Sequence, residues 1–388
     1  MNILSIETSC DDTGIAFVSG SLESGFSVLG SALSSQVNVH APYGGVFPSL
    51  AKREHAKNLI PLLAKLITET NIEKSDPITI SSTQRAVLGK YLVREPVLLE
   101  KLLNTPLQRP CVDAIAVTTG PGLAPALWVG INCARALSTL WDIPVIAINH
   151  MEGHIVSVLT QEILRKRITF PAIALLISGG HTELVLTKAW GDYTILGETR
   201  DDAVGEAFDK VGRILGLPYP GGPGISRLAQ LARNRNKVPR VKLPRPMIHS
   251  DTLDFSFSGL KTAVLYTVKK RKLTEQEKED IAHAFENAVT DVLLAKTKRA
   301  LIDTNAQTLI IAGGVAANTY IRQSCEHLIQ VTFPCVTLAI PTHNLSTDNA
   351  VMIGTAALIA LGNNGAGAYT SLDELLAEGN LTFRHLNP

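Results

Sequence analysis

The chain has 388 residues and 45% hydrophobic content, enough for a sizeable core and, by length, about two domains. A formal net charge of +1 excludes a global pull toward nucleic acid or membrane, so any polyanion must meet a local patch. Five scattered cysteines with no C-x-x-C pair indicate neither a disulfide framework nor a zinc knuckle.

The chain starts MNILSIETSC, with neither a basic leader nor an apolar signal core. Residues 2–7 and 14–18 read as two short strands around the polar turn Thr8-Ser9-Cys10-Asp11-Asp12-Thr13. Residues 71–110 are polar, with a helical piece at 96–103, and read as a surface insertion. A strand at 113–118 leads into Gly120-Pro121-Gly122, a helix is expected over 125–140, and a further strand over 145–148 runs into Asn149-His150-Met151-Glu152-Gly153-His154. Residues 172–178 and 182–187 repeat the first hairpin around Gly179-Gly180-His181. A helix over 201–217 ends at Pro220-Gly221-Gly222-Pro223. A long helix over 273–302 opens on a capping box, Thr274 with Glu277, and carries the apolar stripe Ile281, Ala284, Phe285, Ala288, Val292 and Ala295. Strand 308–312 enters Gly313-Gly314 and then a helix. The longest apolar run, 350–362, is about 13 residues, short of the roughly 20 that span a bilayer. Strands alternating with helices predict an α/β protein, and the repeated hairpin predicts two lobes facing a cleft. A cytoplasmic chain without a membrane segment is expected.

His150 and His154, four apart, share one face of a helix, which is a metal-ligand spacing. A peptidase of the His-Glu-x-x-His type needs its Glu directly after the first His. Glu152 comes one position later, about 200° around the helix from His150, so metallopeptidase chemistry is disfavoured. Asp348, in Ser346-Thr347-Asp348-Asn349, is either a helix cap or a third ligand; two imidazoles and one carboxylate make a common open metal site. Asp11 and Asp12 serve either turn chemistry or a carboxylate that orients a nucleophile. Asp209 is either a solvated helix acid or an acceptor for ribose hydroxyls. The turns at Thr8–Thr13, Ser178-Gly179-Gly180 and Gly313-Gly314 are candidates to cradle phosphate through backbone N–H groups. Arg233, Arg235, Lys237, Arg240, Lys242 and Arg245, and then Lys269, Lys270, Arg271 and Lys272, are either a solvated face or a nucleic-acid backbone contact.

The stretches IETSCDDTGIA, QVNVHAPYGGVFPSLAKREH, GPGLAPALWVG, NHMEGH, LLISGGHTELVL, DDAVGEAFDKVGRILGLPYPGGP, LDFSFSGLKT, IAGGVAAN and STDN occur in order over nearly the whole chain. Together they resemble the transferases that make N6-threonylcarbamoyladenosine in tRNA (the TsaD/Kae/Qri group, many once described as O-sialoglycoprotein endopeptidases), in their bacterial form. Departures are residues 71–110, which look longer than usual, and Asp12, where Glu is common. The resemblance implies a two-lobed actin/hexokinase/Hsp70-like fold. The lobes would be 1–145, with 350–388 packing back on it, and 146–349, which would carry the nucleotide and metal sites and a helical subdomain over 200–303. It further implies threonylcarbamoyl-AMP as substrate, and a divalent metal on His150, His154 and Asp348, iron in the first place with zinc or magnesium as alternatives. Leu176, Ile177, Ser178, Gly179, Gly180, Asp209, Gly222 and Asn318 would line the adenine-nucleotide pocket, with Asp11 near the reacting carbonyl. Expected partners are tRNA, a degenerate paralogue and a small ATPase. An ATP-dependent small-molecule kinase or ATPase of the same fold is the alternative activity.

Overall fold

A computed structural model describes residues 1–235, 241–268 and 272–383. The chain divides into two units, one of Met1–His40, Val46–Arg165 and the C-terminal segment from Asp348, the other of Ala41–Gly45 and Lys166–Thr347. In the first unit β1 (Asn2–Glu7), β2 (Asp12–Ser21) and β3 (Gly25–Ser35) form an antiparallel meander. After the small antiparallel pair β4 (Lys74–Pro77) and β5 (Gln108–Pro110), strands β6 (Ala114–Gly120) and β7 (Val145–Asn149) extend the sheet in parallel from β1, giving the order β3-β2-β1-β6-β7. The second unit repeats this plan with β8 (Ala172–Ile177), β9 (Thr182–Ala189), β10 (Asp192–Glu198), β11 (Thr308–Ala312) and β12 (Thr337–Ala339), in the order β10-β9-β8-β11-β12. Two mixed α/β sheets of matching strand order agree with a duplicated actin-like architecture.

Because β1 is a central strand, both of its faces are buried. Leu4 and Ile6 join one core cluster with Leu59, Ile60 and Leu63 of the helix Pro48–Glu69 and with Leu127, Ile131 and Leu137 of the helix Ala124–Trp141. Ile3, Ser5 and Glu7 have the other parity and so point to the opposite face. There the helix Ala350–Asn364 lies close: Ser5 Oγ donates to the Ala350 carbonyl at 2.7 Å. A Cβ on Gly354 would stand 2.8 Å from Val18 Cγ2 and 3.0 Å from Ser5 Oγ, so glycine sets the helix-to-sheet distance. Gly354→Val is expected to destabilise the protein by about 1–3 kcal/mol through overpacking, read from urea unfolding. One described stretch, Ala350–Ala368, is long and apolar enough to cross a membrane; it is 61% buried and contains this core helix.

Three features differ from the sequence reading. The boundary falls at Arg165/Lys166 rather than 145/146, and the chain re-enters the first unit at Asp348, two residues before the expected 350. His150, His154 and Asp348 therefore belong to the first unit, not to a lobe of residues 146–349. Segment 71–110 is not merely a surface insertion. Its helices Ser82–Tyr91 and Pro96–Asn104 bring Leu88, Leu98 and Leu102, with Leu92 and Leu107, into the first unit's core. Among the described residues, helices within 200–303 pack on the second sheet in a single core with Ile173, Leu175 and Leu309 rather than as a separate subdomain.

Candidate active site

Strand β7 ends at Asn149, whose side chain caps the next helix by accepting from Met151 N at 2.8 Å. That helix, His150–Val156, is seven residues long, so His150 and His154 stand one turn apart on one face. It packs on the helix Ala350–Asn364 at Gly153, where a Cβ would meet Ile353 and Met352 at 3.0 and 3.1 Å. Asn349, not Asp348, caps the latter helix, accepting from Met352 N at 3.0 Å. Asp348 is thereby free of capping and turns to the histidines. Its Oδ1 lies 3.4 Å from His150 Nε2 and 3.1 Å from His154 Nε2, and the three donor atoms all lie within 4.8 Å of one another. Bonds of roughly 2.1 Å to one ion place neighbouring donors about 3.0–3.4 Å apart, so this set fits a divalent metal. Glu152 stands outside the cluster.

Behind the cluster lies a residue that the sequence reading did not single out. Glu7, fully buried at the end of β1, accepts from His150 Nδ1 at 3.0 Å, from Thr118 Oγ1 at 2.7 Å and from Ser9 N. A carboxylate on Nδ1 fixes the tautomer and aims the Nε2 lone pair at the metal position. Burial alone would pull the His150 imidazole down, but Glu7 and Asp348 outweigh it and push it up to about 10. Burial would raise the Asp348 carboxyl, but His150 and His154 hold it well below the usual carboxylate range. A divalent cation among the three donors would displace the Nε2 proton of His150 and offset the charge of two carboxylates, the buried Glu7 and the half-buried Asp348.

The turn between β1 and β2 carries Cys10, Asp11 and Asp12, in the same unit as the metal cluster. Burial, then the charge of Asp348, raises the Asp11 carboxyl above its ordinary value. Asp12 is pushed up to about 7, chiefly by burial, and its buried Oδ1 has no hydrogen-bond partner among the described residues. Burial and Asp11 push the Cys10 thiol well up, so it stays protonated at neutral pH and is a poor nucleophile.

In the second unit, a series of contacts joins the predicted nucleotide residues into a ring. Leu176 and Ile177 end β8, and Ser178 Oγ accepts from His181 N at 3.0 Å in the turn that follows. The Ser178 carbonyl accepts from Gly205 N at the start of the helix Val204–Ile214. Asp209 on that helix accepts from Gly221 N at 2.7 Å, next to Gly222 in the first turn of the helix Gly221–Asn234. Ser226 of this helix accepts from Asn318 Nδ2 at 2.8 Å. Asn318 follows the Gly313-Gly314 turn, and Gly313 lies against the Ile177 carbonyl, which closes the ring. Cβ atoms on Gly179 and Gly180 would meet nothing within 4 Å, so a ligand has room to approach their backbone. A cavity of about 380 Å³ beside Asp209 is lined also by Tyr43, Arg213 and Tyr219.

The basic patch is less available than its sequence suggests. Arg233 pairs with Glu286 at 2.6 Å and stacks on Tyr320, Arg235 pairs with Glu279, and Arg245 pairs with Asp291 at 2.7 Å. Acids of the helix Glu275–Thr304, far away in sequence, neutralise them. Lys242 and Lys272 are exposed, whereas Lys237, Arg240, Lys269, Lys270 and Arg271 lie outside the described residues.

Comparison with known proteins gives these sites a family. The chain matches the family model "TsaD: tRNA N6-adenosine threonylcarbamoyltransferase" over residues 27–85 and 91–355, with the break inside segment 71–110. It is 42% identical over 361 residues to the tRNA N6-adenosine threonylcarbamoyltransferase of Nitrosomonas eutropha, covering 93% of each chain. Among solved structures, full-length HypF in its phosphate- and nucleotide-bound form is 12% identical with a TM-score of 0.49, covering 71% of this chain and 42% of that one. The activator of 2-hydroxyisocaproyl-CoA dehydratase from Clostridium difficile with bound ADPNP is 14% identical with a TM-score of 0.44, covering 92% and 94%. These two likenesses are too distant to argue from. The family match and the curated relative are sufficient: this chain belongs to the TsaD family of tRNA N6-adenosine threonylcarbamoyltransferases.

Proposed function

We propose that this protein transfers the threonylcarbamoyl group of threonylcarbamoyl-AMP to N6 of the adenosine adjacent to the anticodon, in tRNAs that read codons beginning with A. The observation that carries the reading is the convergence of His150, His154 and Asp348, with Glu7 behind His150. The reaction is acyl transfer: the exocyclic amine attacks the carbonyl of the carbamoyl–phosphate mixed anhydride, a C–N bond forms, the C–O bond to phosphate breaks, and AMP leaves. The amine is a poor nucleophile because its lone pair is delocalised into the ring, so positioning and charge stabilisation carry the rate. A metal on the three donors would supply Lewis-acid stabilisation of the developing negative charge. Imidazole and carboxylate donors favour iron or zinc over magnesium, and iron is our first choice.

Asp11 takes the amine proton, and its raised affinity for protons suits it to that role. Leu176 to Gly180 line the pocket, backbone N–H groups of the glycine turns hold the phosphate, and Asp209, Gly222 and Asn318 hold the nucleoside; the ring of contacts supports this reading. The target base must leave its stack, as in other recognition of RNA loops. A degenerate paralogue and a small ATPase are proposed protein partners. A cytoplasmic setting is proposed too, and the five free cysteines suit a reducing compartment. Nucleoside mass spectrometry of tRNA from cells lacking the gene should show the loss of threonylcarbamoyladenosine and its return on complementation. Unchanged modification, with a phosphorylated metabolite lost instead, would favour kinase chemistry.

A further inference from the structure

Beneath the Cys10-Asp11-Asp12 turn lies a chain of buried polar side chains, all in the first unit. Thr13, Gln36, His40 and His55 are each at most 1% exposed. Phe47 N donates to His40 Nδ1 at 3.3 Å, which leaves the His40 proton on Nε2, facing Gln36 Oε1 at 3.1 Å. With its oxygen so used, Gln36 presents Nε2–H to His55 Nδ1 at 3.3 Å. Thr13 Oγ1 lies 2.8 Å from the same Nδ1. His55 therefore carries its proton on Nε2 and donates it to the Cys10 carbonyl at 2.9 Å. Every step follows from the backbone N–H at its start, so the direction of the chain is fixed. The Gln36 backbone N–H meanwhile donates to the Asp11 carbonyl at 3.0 Å.

The carbonyls of Cys10 and Asp11 belong to the two peptide planes that flank the Asp11 Cα. Holding both fixes the backbone of Asp11 and hence the direction of its side chain. We propose that His55 is a positioning residue for Asp11, acting through this directed relay with Gln36 and His40; the proposal rests on the reading of Asp11 as proton acceptor. Burial keeps the His55 ring neutral, pulling it down to about 4 against the opposing effects of the Cys10 carbonyl and Glu7. Neutrality is what the relay needs, because an imidazolium has no lone pair to receive the Gln36 donor.

Two variants separate positioning from packing. In His55→Gln the amide nitrogen reaches the place of Nε2 and keeps the donor to Cys10; in His55→Asn it reaches only the place of Nδ1. His55→Asn is expected to lower kcat for threonylcarbamoyl transfer about 100-fold, the scale of a misplacement near 1 Å, with unchanged KM and metal content. His55→Gln should recover kcat to within roughly 3-fold of wild type. A folded His55→Asn with wild-type kcat, or a His55→Gln as impaired as His55→Asn, would overturn the proposal. Nitrogen-15 histidine NMR on the wild-type protein needs no variant. A neutral Nε2–H tautomer for His55 at pH 7 is expected, and an Nδ1–H tautomer would break the relay. Asp11→Asn tells the two readings apart. If it keeps full activity, the role of Asp11 falls and the relay's with it. If it is inactive while His55→Asn is not, the relay alone falls.

Discussion

Replacing His150 with alanine is expected to remove bound metal and threonylcarbamoyl transfer together. The variant takes away one of three donors and also leaves the Glu7 carboxylate facing a cavity. Glu7 has Thr118 Oγ1 and Ser9 N as its other partners, neither of them charged. Glu7→Gln is the milder companion, since it keeps the shape but loses the negative charge on Nδ1. Outer-shell carboxylates of this kind carry about 10–100-fold in metal affinity. Glu7→Gln should weaken metal binding by that amount, and His150→Ala by more. Metal content by mass spectrometry and transfer rate on tRNA, measured on the same preparations, should fall in parallel. A His150→Ala protein that is folded, free of metal and fully active would detach the metal from the reaction.

The metal centre was partly legible in the sequence because its two histidines sit four apart in one helix, and one short range of residues shows that spacing. Asp348 was harder. Serving as a helix cap explained it equally well, until Asn349 proved to be the cap. Glu7 was missed because an acid at the end of an apolar strand reads as the solvated tip of that strand. Its parity with Ser5 placed it on the face toward the helix Ala350–Asn364, and the return of that segment to the first unit covers this face. The boundary lies later than expected because the helix His150–Val156 packs on the helix Ala350–Asn364, and no local pattern shows that contact. The hairpins β1–β2 and β8–β9 were visible as apolar runs around polar turns. Edge strand β3 was not, because its exposed residues blur the alternation. Leucines at 88, 92, 98, 102 and 107 were in view, but the polar residues around them hid an apolar face.

Glu286→Gln is expected to cost the protein about 3–5 kcal/mol, the scale for removing one partner of a buried ion pair. Glu286 lies in the middle of the helix Glu275–Thr304 and is fully buried. Its Oε2 accepts from Arg233 at 2.6 Å, and its Oε1 accepts from Ser226 Oγ at 2.7 Å and Asn318 Nδ2 at 2.8 Å. Glutamine has the same shape but one acceptor atom instead of two. Whichever way its amide turns, an NH₂ group meets either Arg233 or the pair of donors from Ser226 and Asn318. Arg233 keeps Asn287 and the Tyr320 ring but loses its counter-charge at a side-chain exposure of 16%. Urea unfolding should register the loss, while the analogous Arg235→Gln, at a more exposed pair with Glu279, should cost under about 1 kcal/mol. The second readout is functional. Asn318 is held by Glu286 on one side and caps the next helix on the other, accepting from Ile321 N at 3.0 Å. Turning its amide should weaken AMP binding about 10-fold by calorimetry, a change of roughly 1.4 kcal/mol. Undiminished AMP affinity in a destabilised Glu286→Gln protein would confine this carboxylate to the stability of the core and take Asn318 out of the nucleotide pocket.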